Sequence, residues 1–244
     1  MATYHEFARY YDALGEDPLG NAARIRGYLR RHRPAARSLL ELGCGSGQIL
    51  ARLIDVPSLT GVDRSARMLE RARAKVPRAR LIEADITAFE LNDRFDVVIC
   101  VFDTLNHLVT FDAWRALFAR AAAHLYDGGL FAFDVNTVGQ LRRLGAQPAW
   151  ARALPGATIT QDVDWLGDGR ATWHVRIRER RGDGRTVSHH ERIDELGVEL
   201  TRIHAALAED FIALECSDDD GAPPSDDSVR AYFAYQRRPA ALTG

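Results

Sequence analysis

Three glycines fall within five positions of "LLELGCGSGQIL", residues 39–50, at Gly43, Gly45 and Gly47. So bare a backbone after an apolar run predicts a tight strand-to-helix turn, with N–H groups facing a ligand laid against the main chain. Glu41 stands two positions before the first glycine, and Asp63 ends the next apolar segment, where a carboxylate can accept both hydroxyls of a ribose. Two ligand classes use such a bend. Dinucleotides use G-x-G-x-x-G, whose third glycine packs the helix onto the strand. Here that position is Gln48, and the spacing is G-x-G-x-G. Acid–base chemistry follows downstream. His107, in "DTLNHL", comes after the fourth apolar segment, on the edge where open α/β sheets place ligands. Its near-neutral pKa suits it to take a proton from an amine or hydroxyl. The neighbouring Asn106 is the alternative polar contact. Asp134 and Asn136 point the same way from one strand by its period of two, and so can line an acceptor site.

These groups need a scaffold, and the chain predicts one. Residues 1–34 carry Tyr4, Phe7, Tyr11 and Leu14 at helical spacing, interrupted by "GEDPLGN". From residue 37 strands and helices alternate: "SLLELG", then a helix from "GQILARLID", then "SLTGVD" and the helix "SARMLERARAKV" capped by Ser65. "ARLIEAD", "RFDVVICVF", the amphipathic "FDAWRALFARAAAHL" and "GGLFAFDVN" continue the pattern. Parallel strands covered by helices on both faces produce it. Near residue 150 the period changes to two, with "GDG" turns, which predicts a three-stranded antiparallel meander. Its apolar residues, among them Ile159, Val163, Trp173, Val175 and Ile193, are odd-numbered, and Gln161, His189 and Glu191 share that face. Such polar groups either grip an acceptor, with His189 a second candidate base, or are the inward charges that protect a sheet edge. A helix over 198–208 and the strands "FIALEC" and "VRAYFAYQRR" close the chain.

Composition narrows the classes. Lys plus Arg number 32 against 34 Asp plus Glu, for a net charge of −2, which argues against a general nucleic-acid binder. Lys75 is the sole lysine, a bias expected of GC-rich bacterial coding. Cys44, Cys100 and Cys216 show no metal or redox spacing, as expected of reduced cytosolic thiols. With no bilayer-length apolar run and a polar start, a soluble cytoplasmic protein is expected.

"LLELGCGSG", "GVDRS", "EADI" and "FDVVICVFDTLNHL", in that order across residues 37–137, resemble the class I S-adenosylmethionine (SAM)-dependent methyltransferases. "FDVNT" followed by an antiparallel insert is similar to the small-molecule branch, which includes amino-sugar and amino-acid N-methyltransferases. The resemblance implies a Rossmann-like seven-stranded sheet with helices on both faces, its last strand antiparallel, and an insert after the fifth strand roofing the acceptor pocket. One domain over 1–244 is expected: a helical lid at 1–34, a cofactor core at 37–145, a cap at 155–195, and a closing helix and strands at 197–240. The resemblance places Gly43, Gly45 and Gly47 against the methionyl part of SAM, Glu41 near its ammonium and Asp63 on the ribose. Met68, Asp85 and Ile86 would hold the adenine. Phe102 and Asp103 would flank the sulfonium, and Tyr10 or Tyr11 would belong to the lid. Tyr10, Asp103, Asn106 and Asn136 face the acceptor in this scheme. Asp103, Asp134 and Asn136 depart from the spacing of the metal trio in catechol-type O-methyltransferases, so no metal is expected. The implied reaction is methyl transfer to nitrogen, oxygen or carbon of a small metabolite by a monomer or homodimer, without nucleic acid or membrane, leaving S-adenosylhomocysteine (SAH). An enzyme that cleaves or cyclises SAM is the alternative, and a nicotinamide oxidoreductase a weaker one.

Overall fold

A computed structural model describes residues 7–14 and 18–239, with Tyr11 and Leu14 given by their backbone alone. A short 3-10 turn at Phe7–Arg9 leads into helices α1 (Tyr11–Leu14) and α2 (Pro18–His32). There follow β1 (Ser38–Leu42), β2 (Ser58–Asp63), α3 (Ala66–Lys75), β3 (Arg80–Glu83), β4 (Phe95–Cys100), α4 (Phe111–Ala123) and β5 (Leu125–Asn136). Next come α5 (Val138–Gly145), β6 (Trp150–Leu154), β7 (Ala157–Gly167), β8 (Arg170–Arg180) and β9 (Thr186–Leu196). Helix α6 (Leu200–Leu207) and strands β10 (Phe211–Ser217) and β11 (Arg230–Arg237) complete the chain.

Seven strands form one sheet in the order β10-β11-β5-β4-β1-β2-β3. The first five in sequence pair in parallel, and β11 runs antiparallel to both β5 and β10. This is the expected sheet with its reversed last strand. Because side chains alternate, each central strand feeds two cores. Leu40, Leu42, Val98, Cys100, Phe131 and Phe133 pack on one face with Trp114 and Phe118 of α4. Leu39, Val97, Ile99, Leu130 and Ala132 pack on the other with Ile25, Tyr28 and Leu29 of α2 and Leu69 of α3. Both faces are covered, so the sheet's polar opening lies at the strand ends.

Three local expectations need correction. The helix expected after the glycines is a single 3-10 turn, Leu50–Arg52. Pro57 disfavours helix at Val56, and β2 starts at Ser58, so little chain remains. Ile49, Leu50, Leu53 and Val56 are buried along that stretch, so it coils across the sheet instead. The meander has four strands, in the order β6-β7-β8-β9, because "WARAL" pairs with β7 from Trp150↔Gln161 to Leu154↔Ala157. Helix α5 was not foreseen; Thr137 caps it by accepting from Gln140 N at 3.1 Å, and Leu141 packs beneath Val163 and Ala171. The inward face of the four-stranded sheet is odd-numbered, as expected, and its Ile159, Val175, Ile177 and Ile193 enclose Phe7.

Candidate active site

The glycine bend follows β1. Gly43, Gly45 and Gly47 have φ of 71°, 51° and 78°, backbone that L side chains rarely adopt. Gly43 N and Cys44 N both donate to Val62 O, at 2.8 and 3.1 Å, which fixes the bend against β2. A Cβ at Gly43 would lie 2.4 Å from Thr104 Cγ2, so the turn after β4 abuts the bend. At Gly45 a Cβ would meet nothing within 4 Å: the backbone faces open space.

Asp63 braces this arrangement. Its Oδ2 accepts from Gly45 N and its Oδ1 from Ser65 N, both at 2.8 Å. Burial raises its pKa, and the two amides pull it back. Each oxygen keeps a lone pair for a ligand hydroxyl. Glu41 is buried, its Oε2 has no hydrogen-bond partner, and burial together with Asp63 pushes its pKa well up. An orphaned buried carboxylate beside an open glycine bend fits a ligand that carries an ammonium and a ribose. The donor set therefore suits SAM, with Gly43, Gly45, Gly47, Glu41 and Asp63 as the residues that would hold it.

The N-terminal segment is latched to the bend through Asp12 in α1. Asp12 Oδ1 accepts from Ser46 Oγ at 2.5 Å and Gln48 Nε2 at 3.2 Å. Its Oδ2 pairs with Arg71 and Lys75 at 2.6 Å each. Burial alone would raise this carboxyl, but bonds from Lys75, Ser46 and Arg71 hold it at about 2. A carboxyl depressed in the folded state gives stability that is present above its ordinary pKa and lost as pH falls towards about 2. Asp12→Asn is expected to loosen residues 7–14 by about 1 kcal/mol. Hydrogen exchange of those amides checks this; protection equal to the wild type at pH 7 would refute the latch.

The end of β4 is strained. Phe102 and Asp103 follow one another at φ of 59° and 49°. Asp134, buried in β5, accepts from both of their amides, at 3.1 Å for Phe102 N and 2.8 Å for Asp103 N. Arg230 of β11 donates to Asp134 Oδ1 at 2.7 Å and to Asp103 Oδ1 at 3.0 Å. Asn106 departs from expectation. Its Nδ2 donates to Asn136 O at 2.9 Å and Leu196 O at 3.0 Å, and its Oδ1 accepts from Asn136 N at 2.9 Å. The side chain is fully buried and engaged with backbone, so it joins β5 to β9 and does not face an acceptor. His107 lies one turn from Asp103, Nε2 to Oδ2 at 4.0 Å. Burial lowers its pKa, Asp103 and Asp63 raise it, and Arg64 lowers it further.

The other expected residues disperse around this centre. Met68 is buried in the first turn of α3, and its amide donates to Ser65 Oγ at 3.3 Å. Asp85 is exposed, with Oδ1 accepting from Thr87 N at 2.8 Å and Thr87 Oγ1 at 2.6 Å, which lowers its pKa. Ile86 is half-buried against the α4-side core. Tyr10 packs with Phe7 on the apolar face of the four-stranded sheet, while the Tyr11 side chain lies outside the described residues. Asn136 is buried at the end of β5. His189, opposite Ile177 on β9, has a buried Nε2 without a hydrogen-bond partner. It is six residues from Glu195, hence roughly 20 Å along the strand. The two candidate bases are thus not brought together: Glu195, not His189, adjoins His107 and Asp103, their ligand atoms within 4.8 Å of one another. Sequence reasoning missed Glu195, although its odd number continues the inward series of His189 and Glu191.

Comparison with known proteins agrees with this geometry. A family model described as a methyltransferase domain matches residues 39–129. The dTDP-3-amino-3,6-dideoxy-α-D-glucopyranose N,N-dimethyltransferase of Streptomyces fradiae is 32% identical over 192 residues, 76% of this chain and 75% of that protein. A SAM-dependent methyltransferase structure from Clostridium acetobutylicum superposes with a TM-score of 0.86 at 21% identity, covering 97% of this chain and 99% of that one. The sugar N-methyltransferase KedS8 from Streptoalloteichus has a TM-score of 0.80 at 24% identity, over 96% and 93% of the two chains. At such identities the structures establish the fold, and the Streptomyces relative establishes kinship across three quarters of the sequence. The chain belongs to the class I SAM-dependent methyltransferases, in the branch that modifies small molecules, with SAM as cofactor and SAH as product.

Proposed function

We propose that the acceptor atom is an amino nitrogen, on a small metabolite of the amino-sugar class, and that the protein acts in the cytoplasm as a monomer or homodimer without nucleic acid. One observation carries this: His107, its pKa lowered by burial, stands beside Asp103 on the turn that abuts the glycine bend. A neutral imidazole there can take the proton that an ammonium must lose before its nitrogen is nucleophilic. The relative from S. fradiae, whose name specifies an amino sugar, supports the same acceptor.

SAM supplies an already activated methyl group, so the chain's own task is alignment and exclusion of water. Glycines 43, 45 and 47 present the bend, Glu41 the ammonium partner and Asp63 the ribose partner. Met68, Asp85 and Ile86 border the adenine in this scheme, with Phe102 and Asp103 beside the reacting end. Tyr10 and Tyr11 belong to the segment latched by Asp12. His189 is the alternative base, served by the far half of the roof. No metal is invoked.

The test is a panel of nucleotide-linked amino sugars and their hydroxyl isosteres, followed by release of SAH. Turnover of amines and not of the isosteres is expected. Turnover confined to hydroxyls would overturn the nitrogen assignment, and methylthioadenosine from SAM alone would make SAM itself the substrate.

A further inference from the structure

Among the described residues, Glu195 is the second buried carboxylate, after Glu41, with an oxygen that has no hydrogen-bond partner. It sits at the inner end of β9, opposite Ala171, and is 3% exposed. Its Oε2 accepts no hydrogen bond, and burial and Asp103 push its pKa well above the usual carboxylate range. Trp173 and Asn136 border it. The nearby cation, Arg230, is already committed to Asp103 and Asp134. Asn106 fixes the strand end by donating to Leu196 O and Asn136 O and accepting from Asn136 N, so the backbone next to Glu195 is held in place. A rigid buried acid without its own cation costs free energy, unlike the paired acids around it.

We propose that Glu195 is the group that selects the acceptor, receiving the N–H donors of its amino group while Asp103 and His107 close the other sides. This rests on the amine assignment above and names the residue that reads it. A primary amine offers two N–H donors and, when protonated, a positive charge that a buried carboxylate can pair with. A hydroxyl offers one donor and no charge. The carboxylate therefore discriminates between acceptors of equal size, as buried polar groups do when a substitute leaves them unpaired. The roof contributes specificity here through a strand end, a placement that also fixes how far the nitrogen lies from the turn after β4.

Glu195→Gln keeps the shape and removes the charge. The probe is whichever nucleotide-linked amino sugar the wild type turns over, titrated calorimetrically in the presence of SAH. Binding about 30-fold weaker than wild type is expected, with KM raised, kcat within a few-fold, and unchanged affinity for SAH. The ratio of amine to hydroxyl turnover should fall by a similar factor. Equal amine binding in the variant, with SAH affinity intact, would overturn the assignment while leaving N-methylation standing. Absence of amine turnover by the wild type would overturn both. A wild type that carries a stoichiometric divalent metal, lost in Glu195→Gln, would overturn the assignment in favour of a metal held by Asp103, His107 and Glu195.

Discussion

Arg230→Met lowers the stability of the fold by about 3–5 kcal/mol, because it strips a shared guanidinium from two buried acids. Asp134 and Asp103 have side chains only 1% and 9% exposed, and Arg230 bridges them at 2.7 and 3.0 Å. Their attraction to the guanidinium offsets a desolvation cost of several kcal/mol for each ion. The loss reaches the site as well, since Asp134 holds the amides of Phe102 and Asp103 in a conformation that costs on the order of 1–3 kcal/mol per residue. Urea denaturation gives the first readout. The second is pH. Burial already raises the Asp134 pKa, with Arg230 opposing it. In the variant that opposition is gone and the pKa rises further. Between the unfolded and folded values the native state holds a proton that the unfolded chain has lost, so stability falls as pH rises. The deficit of Arg230→Met should therefore shrink when pH is lowered from 7 to 5. A deficit under 1 kcal/mol, or one independent of pH, would show that the buried bridge is not what sets the β4 turn. Arg230→Lys should fall between the two, since one ammonium cannot serve both carboxylates in the planar geometry of a guanidinium.

That bridge also shows what a sequence conceals. β1, β2, β4 and β5 were legible because strands buried on both faces read as continuous apolar runs. The bend was legible because glycines at positive φ have few substitutes. The odd-numbered inward face of the four-stranded sheet followed from period two, and with it the inward direction of Glu191. Strand β6 was not legible: it is exposed over Ala151–Ala153, so no alternation marks it. The segment after the bend misled because its apolar residues, at helical spacing, pack on the sheet without completing a helix. Arg230 contacts Asp134 across 96 positions and Asp103 across 127, and no local pattern connects them. Likewise "TLNH" gave equal weight to Asn106 and His107, and only the positions of Asn136 and Leu196 show that Asn106 is a backbone staple. Chemistry set at the ends of successive strands was readable; contacts between residues distant in sequence were not.

Asp63→Ala should abolish most SAH binding, by about 100-fold or more, with little loss of stability. The two effects diverge for a physical reason. In the free protein, Asp63 carries a desolvation cost and lies close enough to Glu41 to raise that residue's pKa. Removing it relieves that repulsion and releases the Gly45 and Ser65 amides, of which Gly45 borders open space where water can replace the lost acceptor. On the proposed assignment the same carboxylate does two jobs in the complex, fixing the bend and receiving ribose hydroxyls. Charge-assisted bonds of that kind contribute about 1.5–3 kcal/mol each, so losing two corresponds to at least two decades in affinity. Asp63→Asn sharpens the distinction. Its amide offers one acceptor oxygen and turns an NH2 towards a backbone N–H, so it should bind SAH nearly as poorly as the alanine variant despite its matching shape. Calorimetric titration with SAH, alongside thermal denaturation of the free proteins, measures both quantities. Binding within threefold of the wild type in Asp63→Asn would mean that the carboxylate's charge and double acceptance are not what the bend requires, and the assignment of the ribose to Asp63 would fall with it.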